Sequence, residues 1–322
     1  MITDYRGFLK TCKATEKKPI KKLGTIRVGI VESTPIVWKN ELLLFEWLRP
    51  AHSGTGRFFE ERTEGYFHFA NMETDEEVGK PFAFSHSYGC AYEENGTMYG
   101  FGSAAADGEA TSISVFWSND LENWESKTAV ELPEGLTSYN TSVCKDDKGY
   151  VMAIEVYGPK DIIGNYFTVI FARSENLLDW ELMPIDKHIY TKERYSACPT
   201  IRYYDGYYYI VYLEIMPYFR LVPYIVRTKD IETFEPGHVL PVLMYDDDDR
   251  KVIHPERFTA EELEYIKTAV DINNSDVDFC NYNGKTVISY SWGNQMGTEF
   301  LALAEYDGTE QEFLESFFKY TL

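Results

Sequence analysis

The chain is short of everything that ordinarily holds a metal or an extracellular staple. Its 5 Cys, at positions 12, 90, 144, 198 and 280, are odd in number and show no CxxC pair. That excludes a disulfide framework or a zinc knuckle, and leaves small buried thiols as the reading. Six His without HExxH or paired spacing give metal catalysis no ligands, so no cofactor is expected; only a structural cation in a central channel is left open. Positive charge is scarce too: 31 Lys and Arg stand against 52 Asp and Glu, a formal charge of −21. That sign excludes nucleic acid and anionic membranes as partners and suits a neutral or cationic small ligand. Met1-Ile-Thr-Asp-Tyr-Arg lacks the apolar core of a signal peptide, and no apolar run approaches a membrane span. With the unpaired Cys, this predicts a cytoplasmic, reducing location.

What the chain does have is aromatic residues, 16% of the total, and a repeated phrase. Ser118-Asn-Asp-Leu-Glu-Asn-Trp124 returns as Ser174-Glu-Asn-Leu-Leu-Asp-Trp180 and as Thr228-Lys-Asp-Ile-Glu-Thr-Phe234, so the closing aromatics fall 56 and then 54 residues apart. Each unit opens with two apolar alternating runs around a Gly or Asn turn. These pairs span 33–47, 87–102, 141–155, 198–213 and 277–292. Asn-Gly and Asp-Gly between such runs are strong hairpin signals, because primed turns need positive φ. About fifty residues holding four short strands is a propeller blade. The sequence therefore predicts an all-β, five-bladed β-propeller in one domain over 1–322, with 1–25 as a lead-in. In the repeated phrase, the Ser or Thr should bond local backbone and the aromatic should pack between blades. One helix interrupts the pattern near 259–270, where Thr259 and Glu262 form a capping box. The acidic run 246–249 before it reads as a solvated loop.

A propeller gathers its chemistry on the first strand of each blade, around the central channel. Alignment on the turns puts Thr34, Ser87, Asn140, Cys198 and Asp276 at one level, and Glu32, Ser85, Ser138, Ser196 and Asn274 two residues earlier on the same face. Asp278 continues that face. On the second strands Glu46, Gly102, Glu155, Tyr212 and Tyr290 correspond, with Glu214 two residues further on. Glu46 and Glu155 interrupt apolar runs, so each must be paired, hydrogen-bonded or shifted in pKa; Arg49 and Arg194 are the expected partners. Glycoside cleavage needs two carboxylates, about 6 to 9.5 Å apart for direct attack by water or about 5 Å apart when one is the nucleophile. The candidate catalytic acids are Glu155, Asp276, Asp278, Glu46, Glu214 and Glu32. Arg49, His86, Asn140, Arg194, Trp292, Asn294, Gln295 and Glu299 would hold substrate, with Trp292 as a stacking plate. His52 near Arg49 is a further positioning candidate.

The five-blade pattern, the phrase ending at Trp124, and the pairs Thr34-Pro35 and Cys198-Pro199 resemble the glycoside hydrolases of the family 43, 32, 62 and 117 type. The resemblance runs from about residue 30 onward. It implies a propeller acting on furanosides, xylosides and related sugars. More narrowly, Tyr139-Asn-Thr-Ser-Val-Cys-Lys, Arg194-Tyr-Ser-Ala-Cys-Pro, Asn273-Asn-Ser-Asp-Val-Asp and Tyr290-Ser-Trp-Gly-Asn-Gln are similar to bacterial glycosidase-like propellers without an assigned substrate. The family 43 pattern has a catalytic Asp before Pro in its first blade. Thr34 stands there in this chain, so that base does not carry over, and Glu32 and Asp276 are the nearest replacements.

The expected activity is thus hydrolysis of a small saccharide, with Glu155 as general acid and Asp276 as base. Two alternatives share the scaffold: a non-catalytic sugar-binding propeller, and a phosphorylase, lyase or transferase using Arg49 and Arg194. The oligomeric state is not readable from these patterns.

Overall fold

Every expected turn closes a hairpin. Lys39 and Asn40 both take positive φ, as do Asn95 with Gly96, Asp205 with Gly206, and Asn283 with Gly284, the geometry that a right-twisted strand pair requires. The computed structural model describes residues 13–14, 19–49, 64–105, 109–294 and 299–321. Its strands form five four-stranded antiparallel sheets, the blades of a propeller. Blade one holds Ser33–Trp38, Glu41–Leu48, Tyr66–Asn71 and Glu77–Phe82. Blade two holds Ser87–Glu94, Thr97–Ser103, Ser112–Ser118 and Glu125–Glu131. Blade three holds Thr137–Asp146, Gly149–Tyr157, Phe167–Ser174 and Trp180–Leu182, and blade four holds Ala197–Tyr204, Tyr207–Met216, Arg220–Thr228 and Glu235–Pro236. Blade five combines Asn273–Tyr282, Lys285–Gly293 and Glu299–Tyr306 with Ile20–Val28 from the other end of the chain.

The last of these corrects the lead-in expected over 1–25. Ile20–Val28 pairs antiparallel with Glu299–Tyr306 and is the outer strand that closes the ring. Near its start the exposed Lys21 puts a charge on this edge strand, which suits an edge that must resist further pairing, while the neighbouring Lys22 turns inward. The acidic run is corrected at one position: Asp246, Asp247 and Asp248 are open to solvent, but Asp249 is fully buried. It accepts from Lys22 Nζ at 2.8 Å, from Tyr290 Oη at 2.6 Å and from Asn274 Nδ2 at 3.2 Å, so it anchors the closing strand. A buried carboxylate is tolerated there because a cation and three neutral donors, the third being Asp246 N, surround it.

The repeated phrase is scaffold, as expected. Ser118 Oγ accepts from Leu121 N at 2.9 Å, Ser174 Oγ from Leu177 N at 2.9 Å, and Thr228 Oγ1 from Ile231 N at 3.0 Å. Trp124 stacks on Phe82 of the preceding blade with ring centroids 3.7 Å apart, and Trp180 meets Phe101 edge-on. The interrupting helix is Ala260–Thr268, with the Thr259–Glu262 capping box in place. Lys160–Ile163 and Glu310–Glu315 are further short helices.

One local feature decides what faces the channel. The first strands of blades two to five each carry a β-bulge, between Ser87 and Cys90, Ser138 and Thr141, Ala197 and Thr200, and Ser275 and Asp278. Three of the bulge residues, Tyr88, Cys198 and Asp276, have positive φ. A bulge re-aims a side chain and shifts the alternation by one residue. The single level expected from the turns is therefore not one level. Tyr88, Tyr139, Cys198 and Asp276 occupy the first bulge position, Asn140 the second, and Thr34 matches Cys90, Thr141, Thr200 and Asp278.

Candidate active site

At the end of the channel where the first strands begin, the structure gathers three of the expected carboxylates. Glu155 is 3% exposed. Its Oε2 accepts from Asn140 Nδ2 at 3.0 Å and from Cys198 N of the next blade at 2.8 Å. Burial pushes its pKa from the ordinary 4.5 up to about 7, its two hydrogen bonds pull the other way, and nearby Asp276 and Glu32 add to the rise. Glu32 is buried too and is likewise raised to about 7, burial and Asp276 outweighing Arg49. Arg49 Nη2 grips both Glu32 oxygens at 2.7 and 3.0 Å, and its Nη1 reaches Glu299 at 3.5 Å. Burial and Asp276 raise Glu299 against the pull of Arg49. Asp276 thus acts on Glu32, Glu155 and Glu299 at once, and accepts from Ser291 Oγ at 3.2 Å. Glu32, Asn140, Cys198 and Asp276 line a cavity of about 30 Å³ at the floor.

The remaining candidates lie elsewhere. Glu46 points away from the channel. Burial raises it, but Arg27 Nε of the closing strand at 3.1 Å and His68 Nε2 at 3.0 Å hold it below the carboxylate range. Arg49 is therefore not its partner. Asp278 lies further down the channel, bound to Arg202 Nη2 at 2.7 Å; Arg202 also reaches Glu310 at 3.3 Å. That end holds a larger cavity than the floor, about 330 Å³, but both of its central carboxylates are already held by Arg202. Glu214 and Arg194 pair at 2.6 Å beside blade four, where Arg194 also donates to Tyr190 Oη. His86 is fixed by Phe84 O at 2.9 Å and Ser114 Oγ at 3.0 Å, and its pKa falls through burial. Trp292 is no stacking plate. It is fully buried, packs on Phe300 with centroids 4.3 Å apart and donates to Thr25 Oγ1 at 2.9 Å, under the closing strand. Asn294 follows the second strand of blade five, half-buried; Gln295 and His52 lie outside the described residues. Among the described residues no cluster of three His, Cys, Asp or Glu is arranged to hold a metal ion, and no helix is long and apolar enough to cross a membrane.

No family model and no curated relative matches this chain. Solved structures do. A protein described as a glycoside hydrolase aligns over 96% of this chain and 97% of its own, at 11% identity and a TM-score of 0.61. The family 43 endo-arabinanase from Bacillus licheniformis aligns over 88% and 96%, at 12% identity and a TM-score of 0.54. The β-1,2-mannobiose phosphorylase from Listeria innocua, in complex with β-1,2-mannobiose, aligns over 95% and 96%, at 14% identity and a TM-score of 0.56. The fold is that of the five-bladed propeller glycosidases. At such identities the likeness establishes architecture, and the chemistry must be argued from the side chains.

Several side chains at the propeller's mouth escaped sequence reasoning. Cys198 reads as a small buried hydrophobe, yet its sulfur sits in the field of Asp276 and accepts from Asn140 Nδ2 at 3.5 Å. Burial, with Asp276 and Glu155 adding, holds that thiol neutral, well above its ordinary value. Tyr195 sits in the field of Cys198, Glu155 and Asp276, and burial is the main cause of its raised pKa. Tyr88 and Tyr139 arrive at the mouth through the bulges. The available signal was the x-Tyr or Cys-Pro pattern at the start of each first strand, but its facing depends on a bulge that composition does not announce.

Proposed function

We propose that the chain hydrolyses the glycosidic bond of a small saccharide bound at the mouth of the channel. The observation that carries this reading is a buried carboxyl, Glu155, that titrates near neutrality beside a second carboxylate, Asp276. Among the described residues the hydrogen bonds to Glu155 come from neutral donors and not from a cation, which favours a retained proton into the neutral range. It donates that proton to the glycosidic oxygen as the C–O bond breaks. Asp276, turned by its bulge toward the cavity, takes a proton from the water that attacks the sugar carbon. The floor cavity has room for one or two waters. Glu32, clamped by Arg49, holds that guanidinium in place for sugar hydroxyls, and Asn140 fixes the acid's orientation.

Furanosides and xylosides are the first sugars to test, with arabinan fragments among them because one structural neighbour is an endo-arabinanase. A phosphorylase would need an uncommitted cation, and both candidates are engaged, Arg49 by Glu32 and Glu299, Arg194 by Glu214 and Tyr190. A cytoplasmic location belongs to the same proposal, supported by the free thiols of Cys90, Cys144, Cys198 and Cys280.

The test is a panel of aryl furanosides and pyranosides. On the substrate found, Glu155→Gln is expected to lower kcat by about 10²- to 10⁴-fold while still folding. Wild-type kcat/KM should fall as pH rises through about 7, because the acid then loses its proton. Unchanged turnover in the Gln variant removes Glu155 from the mechanism; sugar binding without turnover by the wild type leaves a receptor.

A further inference from the structure

Carboxylates form one side of the mouth, and the other side is aromatic. From blade one, ring follows ring: Trp47 to Tyr88 at 4.8 Å, Tyr88 to Tyr139 at 5.0 Å, Tyr139 to Phe167 at 5.1 Å. At Phe167 the path forks. One arm reaches Tyr195 at 5.5 Å, beside Glu155 and Asp276. The other reaches Tyr157 at 5.4 Å and then Tyr166, nearly parallel to it (9°) at 6.2 Å.

Exposure changes along the path. Tyr88, Tyr139, Phe167 and Tyr195 are half-buried, whereas Tyr157 and Tyr166 are 41% and 52% exposed. Tyr157 lies two residues beyond Glu155 on the same strand, so alternation puts both on one face. Tyr166 opens onto the third strand across the short helix Lys160–Ile163, and Lys160 Nζ sits 4.3 Å over its ring. Two exposed aromatic rings with polar tips, joined by ring contacts to Tyr195 in the field of both catalytic candidates, are more than scattered surface hydrophobes. Tyr offers an apolar face to sugar C–H groups and a hydroxyl to sugar oxygens.

We propose that Tyr157 and Tyr166 form a second sugar subsite, on which units of an oligosaccharide adjoining the cleaved bond lie along the rim of blade three. That the occupant is a saccharide rests on the hydrolase reading above. The net charge of −21 makes a neutral chain the fitting occupant, since a polyuronate would meet like charge throughout.

The experiment uses calorimetric titration of the full-length Glu155→Gln variant with arabino-, xylo- and manno-oligosaccharides of one to four units. In at least one series, affinity should rise tenfold or more between one and three units. Adding Tyr157→Ala and Tyr166→Ala should bring the ratio of three-unit to one-unit affinity close to one, and Tyr157→Phe with Tyr166→Phe should keep most of it, since the ring carries the contact. A length increment that survives the Ala pair overturns the proposal, as does a panel with no length dependence. Failure of the two readings is separable. A ring-dependent increment without cleavage by wild type leaves the subsite and removes the hydrolase; cleavage of an aryl monoglycoside with a flat series does the reverse.

Discussion

Glu46 and Glu155 begin alike: each interrupts an apolar second strand opposite the first strand of its blade. Their fates diverge through partners that come from far along the chain. Arg27 and His68 close on Glu46, whereas among the described residues Glu155 receives an amide N–H and an Asn side chain. Burial without a cation has a thermodynamic consequence. Below pH 4.5 Glu155 is protonated whether the chain is folded or not, and it costs nothing. Between 4.5 and about 7 the unfolded chain ionises this group and the folded one does not, so stability falls as pH rises. Above 7 the loss is complete, roughly 3 kcal/mol at 1.36 kcal/mol per pKa unit. Glu155→Gln removes the ionisable group and keeps an oxygen to accept both bonds. The variant should therefore be more stable than wild type at pH 8, with the gap closing toward pH 4.5 in denaturant titrations. An equal gap at both pH values would mean that Glu155 is ionised in the fold. The need for special treatment of both Glu was legible in the sequence, since a charge in a run such as Val-Met-Ala-Ile-Glu-Val announces itself. Which of them faces the channel was not, because that depends on Arg27 and Cys198, 19 and 43 positions away.

At the scale of elements, alternation gave strand pairs and turns reliably, and failed wherever a bulge intervened. Four bulges rotate Tyr88, Tyr139, Cys198 and Asp276 into the mouth, and no period-two pattern can report an inserted residue. Trp292 shows the same limit: a polar neighbourhood in sequence suggested a binding surface, while the closing strand covers it. That strand is held by Lys22, whose Nζ donates to Met244 O at 2.6 Å, Asp249 Oδ2 at 2.8 Å and Asn274 Oδ1 at 3.0 Å. Lys22→Met strands the Asp249 carboxylate in the interior and should cost about 3–5 kcal/mol. Adding Asp249→Asn should recover part of the loss, since a neutral amide still accepts from Tyr290. Equilibrium unfolding of the single and double variants checks this, and no recovery in the double would show that the ion pair is not the source of the cost.

For the molecule as a whole, the repeat determined the architecture and the ends determined whether it closes. The phrases ending at Trp124, Trp180 and Phe234 recur because each blade packs its aromatic against the one before it, so periodicity exposes the fold directly. Closure has no periodic signature, as it joins residues nearly three hundred positions apart. Ile20–Val28 runs the length of Glu299–Tyr306, and Thr25 adds bonds to Lys251 O at 2.6 Å and Asp249 O at 2.8 Å. A variant beginning at Gly29 would leave Glu299–Tyr306 as an open edge and Trp292 without its cover. Such an edge pairs with whatever strand is available. The truncated protein should elute as soluble aggregate or higher oligomers in size-exclusion chromatography, and a synthetic peptide covering 19–28 should return a monomer-sized, cooperatively melting species. The mouth should respond too, because Glu299 and Asp276 stand on the blade that the peptide completes. A truncated monomer with wild-type melting would mean that four blades and a three-stranded fifth suffice to hold the ring.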